Sequence, residues 1–196
     1  MNQKINLAIF CSGSGSNAQK IMEYFKDSED VNISVLMANK ADAFALKRAE
    51  SFGIPTFVFN RDDFYNSEKV IKELEKYNVS WVILAGFLWL IPENLVKSFP
   101  NKIINIHPAL LPKFGGKGMY GMHVHKAVVE AREKESGISI HYVNAHYDEG
   151  NIIFQASCEI EATDSPEEVA KKVLQLEHEH FPRVIEALVK GLKFKV

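Results

Sequence analysis

From Ile5 to Ile106, short apolar runs alternate with segments of helical period, and that alternation leaves few folds open. The runs Ile5 to Cys11, Val31 to Ala38, Pro55 to Phe59, Val79 to Ala85 and Ile103 to Ile106 read as strands. Between them lie helical patterns from the residues after Asn17 to about Phe25, Ala41 to Phe52 (stopped by Gly53), Ser67 to Tyr77 and Pro92 to Phe99. Strands joined through helices pair in parallel by right-handed crossovers, so an α/β fold with a doubly wound, mostly parallel sheet is predicted. Val79 to Ala85 is apolar at nearly every position, as a central strand covered on both faces would be.

Past Pro108 the pattern changes. Pro108 to Met122 carries two prolines and Gly115, Gly116, Gly118 and Gly121 without periodicity, which marks a functional or mobile loop, with a lid as one reading. A helix over His123 to Arg132 follows. Gly137 to Asn144 and Asn151 to Ile160 then read as an antiparallel pair around the loop Ala145 to Gly150, a C-terminal antiparallel extension of the sheet. The last helix opens on Ser165, Pro166 and Glu168, a capping box with proline at the first position. Val169, Val173, Leu176, His180, Val184 and Leu188 are its predicted core stripe, and Pro182 is expected to kink or break it.

The 196 residues, 46% apolar and 24% charged, suit one domain spanning 1–196. A net charge of -2 excludes a general affinity for nucleic acid or for an anionic membrane, so any anion must be held by local geometry. Two distant cysteines, Cys11 and Cys158, form no disulfide framework or metal spacing and suit a reducing cytoplasm. Met1–Lys4 leads only into the short run from Ile5, which is neither a signal peptide nor a membrane span.

In an open parallel sheet, ligands bind beyond the carboxyl ends of the strands. The polar and glycine-rich pieces fall there: Ser12 to Asn17, Asn39-Lys40, Gly86 to Trp89, and Asn105 with His107. Ser12-Gly13-Ser14-Gly15-Ser16-Asn17 has the composition of an anion cradle ahead of a helix N-terminus. Gly13, Gly15 and Ala18 also fit a dinucleotide fingerprint, but the second strand ends in Ala38-Asn39-Lys40 without the acid a ribose needs, which favours a phosphomonoester. A glycine turn without a ligand is the plain alternative. Asn105 and His107 leave the same face of their strand just before Pro108, where amide and imidazole can donate to an oxygen gaining negative charge. Asp148 sits in a loop from which it could raise the pKa of His107 and keep an imidazolium available, or simply serve an Asx-turn. His123-x-His125, with His107, His141 and His146, invites a zinc reading. His123 and His125 share no helix face, however, and no known zinc spacing is present, so no metal is expected.

Together with Ala38-Asn39-Lys40-Ala41-Asp42-Ala43, Leu84 to Phe87, Ile104-Asn105-Ile106-His107-Pro108-Ala109-Leu110-Leu111-Pro112 and the Asp148 loop, these stretches resemble the formyltetrahydrofolate-dependent formyltransferases over about Ile5 to Leu192. The N-terminal loop makes the likeness strongest to the phosphoribosylglycinamide formyltransferase (glycinamide ribonucleotide transformylase) family. That resemblance implies a Rossmann-like formyltransferase fold with a nucleotide-binding half (1–107) and a folate-binding and catalytic half (108–196). It implies direct attack of the glycinamide amine on the formyl carbon of the co-substrate 10-formyltetrahydrofolate. Asn105 and His107 would stabilise the oxyanion, and Asp148 would hold His107 and help shuttle the proton. The nucleotide would lie on Ser14, Gly15, Ser16, Asn17 and Gly86, with Glu177 at the ribose. The pterin would lie among Leu88, Trp89, Leu90, Ile91, Val96, Asn105, Tyr142 and Asp148.

The same resemblance implies small-molecule substrates, no nucleic-acid or membrane partner, and a monomer or homodimer. Trp89 and Ser67 stand where some relatives carry arginine. Trp89 reads as a pocket wall, with plain core as the other reading. A formyltetrahydrofolate hydrolase would be expected to carry a further N-terminal domain, and a methionyl-tRNA formyltransferase an RNA-binding one. A non-catalytic nucleotide-binding module is the third rival.

Overall fold

The computed structural model describes residues 4–192, so the reading of Met1–Gln3 lies outside the described residues. Its elements run β1 (Ile5–Cys11), α1 (Ser16–Phe25), β2 (Val31–Ala38), α2 (Phe44–Ser51), β3 (Thr56–Val58), α3 (Arg61–Tyr65) and α4 (Lys69–Lys76). They continue β4 (Trp81–Leu84), α5 (Glu93–Ser98), β5 (Ile103–His107), α6 (Met122–Glu130), β6 (Glu135–Tyr142), β7 (Ile152–Glu159) and α7 (Pro166–Val189). One sheet takes the order β3-β2-β1-β4-β5-β6-β7. β1 to β5 pair in parallel, β6 is antiparallel to β5, and β7 is antiparallel to β6. The predicted doubly wound sheet with an antiparallel extension is what the chain forms.

Side-chain alternation along β1 divides the core in two. Leu7, Ile9 and Cys11 pack with Ile21 of α1, Ala45 of α2, Val124 of α6 and Val173 of α7. Ala8 and Phe10 face the other way, against Phe64 of α3, Val70 and Leu74 of α4 and Leu95 of α5. Strand order reverses between β1 and β4, and there the first loop meets the fourth strand's end. Ser12 N–H donates to the Gly86 carbonyl oxygen at 3.0 Å, and Leu88 N–H donates to Ser12 Oγ at 3.0 Å. Such a switch point is where a crevice opens in doubly wound folds.

Three departures from the sequence reading have local causes. α3 was not anticipated; it is one short helix closed by a reciprocal cap, Asp63 N–H to Asn60 Oδ1 at 2.9 Å and Asn60 N–H to Asp63 Oδ2 at 3.2 Å. α7 runs unbroken through Pro182, because fully buried Phe181 and Ile185 on either side hold it against the sheet. Its buried stripe is Val169, Val173, Glu177, Phe181 and Val184, with Leu176 and His180 only half-buried. A carboxylate, Glu177, therefore sits in the middle of the core-facing row.

Candidate active site

The loop after β1 delivers backbone rather than side chains. Gly15 is the N-cap of α1, with φ 72° and ψ 31°, and no side chain caps the helix. The first N–H groups of α1 are consequently without helical acceptors and point into the loop. A Cβ on Gly15 would come within 2.5 Å of Ala45 Cβ, so α2 packs directly against the turn. Arg48 Nε donates to the Ser14 carbonyl oxygen at 2.9 Å and fixes the loop from that side. A hollow of about 320 Å³ opens there, lined by Ser12 to Asn17, Lys40, Ala85, Gly86 and Leu88.

At the other end, β5 presents Asn105 and His107, and β6 places His141 opposite Asn105 in register. His141 Nδ1–H donates to the Tyr142 carbonyl oxygen at 2.9 Å, so its Nε2 is left to accept from Asn105 Nδ2 at 3.1 Å. His107 Nε2–H donates to the Phe114 carbonyl oxygen at 2.8 Å, and its Nδ1 lies 3.5 Å from Asp148 Oδ2. Asp148 Oδ1 is 3.6 Å from His141 Nε2, and Oδ2 accepts Gly116 N–H at 2.9 Å. Asp148 holds φ 56°, a left-handed conformation that short polar side chains such as Asp tolerate better than most. The turn after Pro108 is tied down separately: Ser139 Oγ–H donates to Ala109 O at 2.7 Å and accepts Leu111 N–H at 2.9 Å.

Burial pushes the His107 pKa below its ordinary value, and the pull of Asp148 and Phe114 in the other direction does not offset it. Asp148 is expected to raise this pKa and keep an imidazolium available; burial outweighs it, and the shift is downward. Burial also pushes the Asp148 carboxyl up, but His141, His107 and the Gly116 N–H together hold it below the usual carboxylate range. Glu177 goes the opposite way, raised by burial despite the 2.7 Å hydrogen bond it accepts from Asn17 Nδ2.

One cavity of about 700 Å³ joins the two ends. Ser14, Asn17, Gly86, Leu88, Asn105, His107, Asp148 and Glu177 line it, and the structure brings these predicted residues together. Gly15 and Ser16 line only the adjoining hollow. Trp89, Leu90, Ile91, Val96 and Tyr142 stay outside both linings. Trp89 packs on Phe59, Phe64, Tyr65 and Phe87, with the Arg61 guanidinium 4.8 Å from its ring centre, and Ile91 is buried in the same core. Residues not singled out as site residues from the sequence also line the cavity: Phe87, Met119, Tyr120, His125 and Tyr147. Lys40 had a sequence signal, as part of Asn39-Lys40 just beyond β2, whereas His141 was named only among the histidines of the zinc reading. Among the described residues, no three His, Cys, Asp or Glu side chains gather in a way that could hold a metal ion.

The formyl transferase family model matches residues 5–185 of this chain. A phosphoribosylglycinamide formyltransferase of Arabidopsis thaliana, described as chloroplastic, is 46% identical over 93% of the chain, which spans 64% of that protein's length. One from Bacillus subtilis is 36% identical, with 93% of each sequence covered. The crystal structure of phosphoribosylglycinamide formyltransferase from Anaplasma phagocytophilum superimposes with a TM-score of 0.87 at 34% identity, covering 96% of this chain and 89% of that one.

Proposed function

The chain belongs to the formyl transferase family, and on that premise we propose that it transfers the formyl group of 10-formyltetrahydrofolate to the amine of 5′-phosphoribosylglycinamide, a step of de novo purine biosynthesis. The observation that supports this reading is a cavity lined by an amide–imidazole–carboxylate set that adjoins, through Ser14, Asn17 and Gly86, a hollow over the glycine loop. A phosphate held on the α1 N–H groups near Lys40 leaves the rest of a ribonucleotide to run past Glu177 toward Asn105. The folate co-substrate enters along Gly86 and Leu88, with Trp89, Ile91 and Val96 packed together in the core behind that wall.

Asn105 has a second amide hydrogen beyond the one given to His141, and this hydrogen serves the formyl oxygen as the amine attacks. His107 Nε2–H is committed to Phe114, so Nδ1, beside Asp148, is where a proton comes and goes. Negative charge growing on the formyl oxygen favours the charged ring against burial, so Nδ1 takes up a proton from solvent water, donates that N–H to the oxygen, and gives the proton back to water as the carbonyl re-forms. The Asp148 carboxylate takes the proton the amine loses, through water, and returns it to the departing folate nitrogen. Each role falls to a group that is already oriented, which is how such sites lower a barrier.

The substrates are small molecules, and the protein acts as a monomer or homodimer in a reducing, cytoplasm-like compartment. Both cysteines are free, and no described helix is long and apolar enough to cross a membrane. The test is a 10-formyltetrahydrofolate labelled with ¹³C in its formyl group, followed by NMR with and without glycinamide ribonucleotide. The label should reach the acceptor's amine and stay on folate when the acceptor is absent. Release as formate at the same rate without acceptor would assign a hydrolase instead.

A further inference from the structure

Two cavity-lining residues carry a buried polar atom with no hydrogen-bond partner among the described residues: Asn17 Oδ1 and His125 Nδ1. Asn17 belongs to the anion cradle already described. His125 does not belong to any group described so far. It sits on the first turns of α6 and is 6% exposed, and its Nδ1 is sealed without a hydrogen-bond partner within the described residues, whereas Nε2 is not sealed in this way. A sealed imidazole nitrogen left with no partner is uncommon in a folded protein and calls for a reason. Here the wall it belongs to gives one. Nδ1 is sealed inside the protein, while the ring lines the same cavity as Glu177 and His107.

The chemistry of an orphaned ring fixes what it offers. A sealed N–H without an acceptor is rarer and more costly than a sealed lone pair, so Nδ1 is the bare nitrogen and Nε2 carries the hydrogen. Burial, and the nearness of His107, both hold the ring in its neutral form. His125 is therefore a neutral donor, suited to an uncharged oxygen and unsuited to phosphate or carboxylate. Neutrality also keeps it from competing with His107 for the proton that moves during transfer.

Resting on the function proposed above, we propose that His125 Nε2–H binds an uncharged oxygen of the acceptor substrate, a sugar hydroxyl or the amide carbonyl lying between the anchored phosphate and the reacting amine. It is a binding and positioning residue for that substrate, with no part in proton transfer. Its loss should raise the KM for the acceptor, and misplacing the amine should lower kcat less than it raises KM.

The experiment is calorimetric titration of glycinamide ribonucleotide, and separately of ribose 5-phosphate, into wild type, His125→Phe and His125→Gln. Phenylalanine keeps the ring's bulk and removes the donor, whereas the glutamine amide can restore an N–H near the Nε2 position. About tenfold weaker acceptor binding by His125→Phe is expected, the size of one lost hydrogen bond, with recovery in His125→Gln. Weakening toward both ligands would locate the oxygen on the sugar; weakening toward the full acceptor alone would locate it on the amide. Should His125→Phe fail to fold, the wild-type ¹⁵N imidazole spectrum decides. Acceptor binding should shift the Nε2 resonance and leave the ring neutral, and an unmoved resonance overturns the proposal. Unchanged affinity in a folded His125→Phe overturns it as well, while the wild-type protein still binds the acceptor. Failure of the wild type itself to bind the acceptor would instead overturn the function on which it rests.

Discussion

The two ends of the cavity are built in opposite ways. The end proposed to anchor the phosphate is backbone: one loop of six residues, a glycine with positive φ and the open start of α1. The end proposed to carry the reaction is side chain: Asn105 and His107 from β5, His141 from β6 and Asp148 from a loop, each oriented by another. A backbone site recognises charge and tolerates change in most of its side chains, provided the turn survives. A side-chain site depends on the identity of every member, but less on any one turn.

The largest expected effect breaks the reacting end alone. Asp148→Asn keeps the shape, the left-handed conformation and an acceptor for Gly116 N–H, while it removes the proton acceptor. Turnover should fall by roughly a hundredfold or more, as for other lost acid–base groups. Steady-state kcat under saturating substrates measures this, and a loss below about threefold would remove Asp148 from the chemistry.

Next in size is a change to the anchoring end that acts through folding. Gly15→Ala forces a Cβ against Ala45 and into a left-handed backbone, so it should cost about 2 kcal/mol of stability. Gly13→Ala, with nothing within 4 Å of the new atom, should cost little. Urea denaturation of the pair checks the contrast, and equal losses would mean that the turn is not what α2 packs against.

How far each end could be read from the sequence follows from the same difference. Ser12 to Asn17 is contiguous, and a strand, glycines and a helix start are local signals, so the turn proposed as a cradle is legible in six residues. That Asn105, His107 and Asp148 come together is legible in the stretches that carry them, but the extent of burial around His107 is not. Whether burial or Asp148 prevails depends on how closely Phe114, Gly116 and β6 wrap the ring, a tertiary quantity. His141 joins the site by cross-strand register and His125 by the packing of α6, neither of which periodicity reveals. α3 was missed because its cap uses Asp63 where glutamate or glutamine is the usual signal. The unbroken α7 shows burial on both sides of Pro182 overriding a sound local rule.

A smaller effect separates the ends by pH. His107 titrates below its ordinary 6.5 in the folded state, so the unfolded chain takes up its proton first. Its contribution to stability is present above about pH 6.5 and is lost as pH falls below that value. Glu177, raised above its ordinary 4.5, has the opposite sign: stability is lost as pH rises through its folded pKa. Between pH 7 and 5.5, Tm should fall by roughly a few degrees, with a shallower fall in His107→Gln. Glu177→Gln should leave Tm at pH 7 unchanged or slightly higher, since it removes a buried charge and keeps an acceptor for Asn17. A Tm profile unaltered by His107→Gln would show that burial of this ring does not set the slope.

The division of labour is tested most directly by the dissociation constant of glycinamide ribonucleotide, measured by calorimetry for wild type, Asp148→Asn and Lys40→Met in one buffer. Lys40 lines the anchoring hollow, and Asp148 lines the cavity only at the reacting end. The expected result is a value for Asp148→Asn within about twofold of wild type and one for Lys40→Met weaker by about tenfold, the size of a lost charge-assisted contact. Equal weakening by the two substitutions, in folded proteins, would contradict the separation of anchoring from reaction.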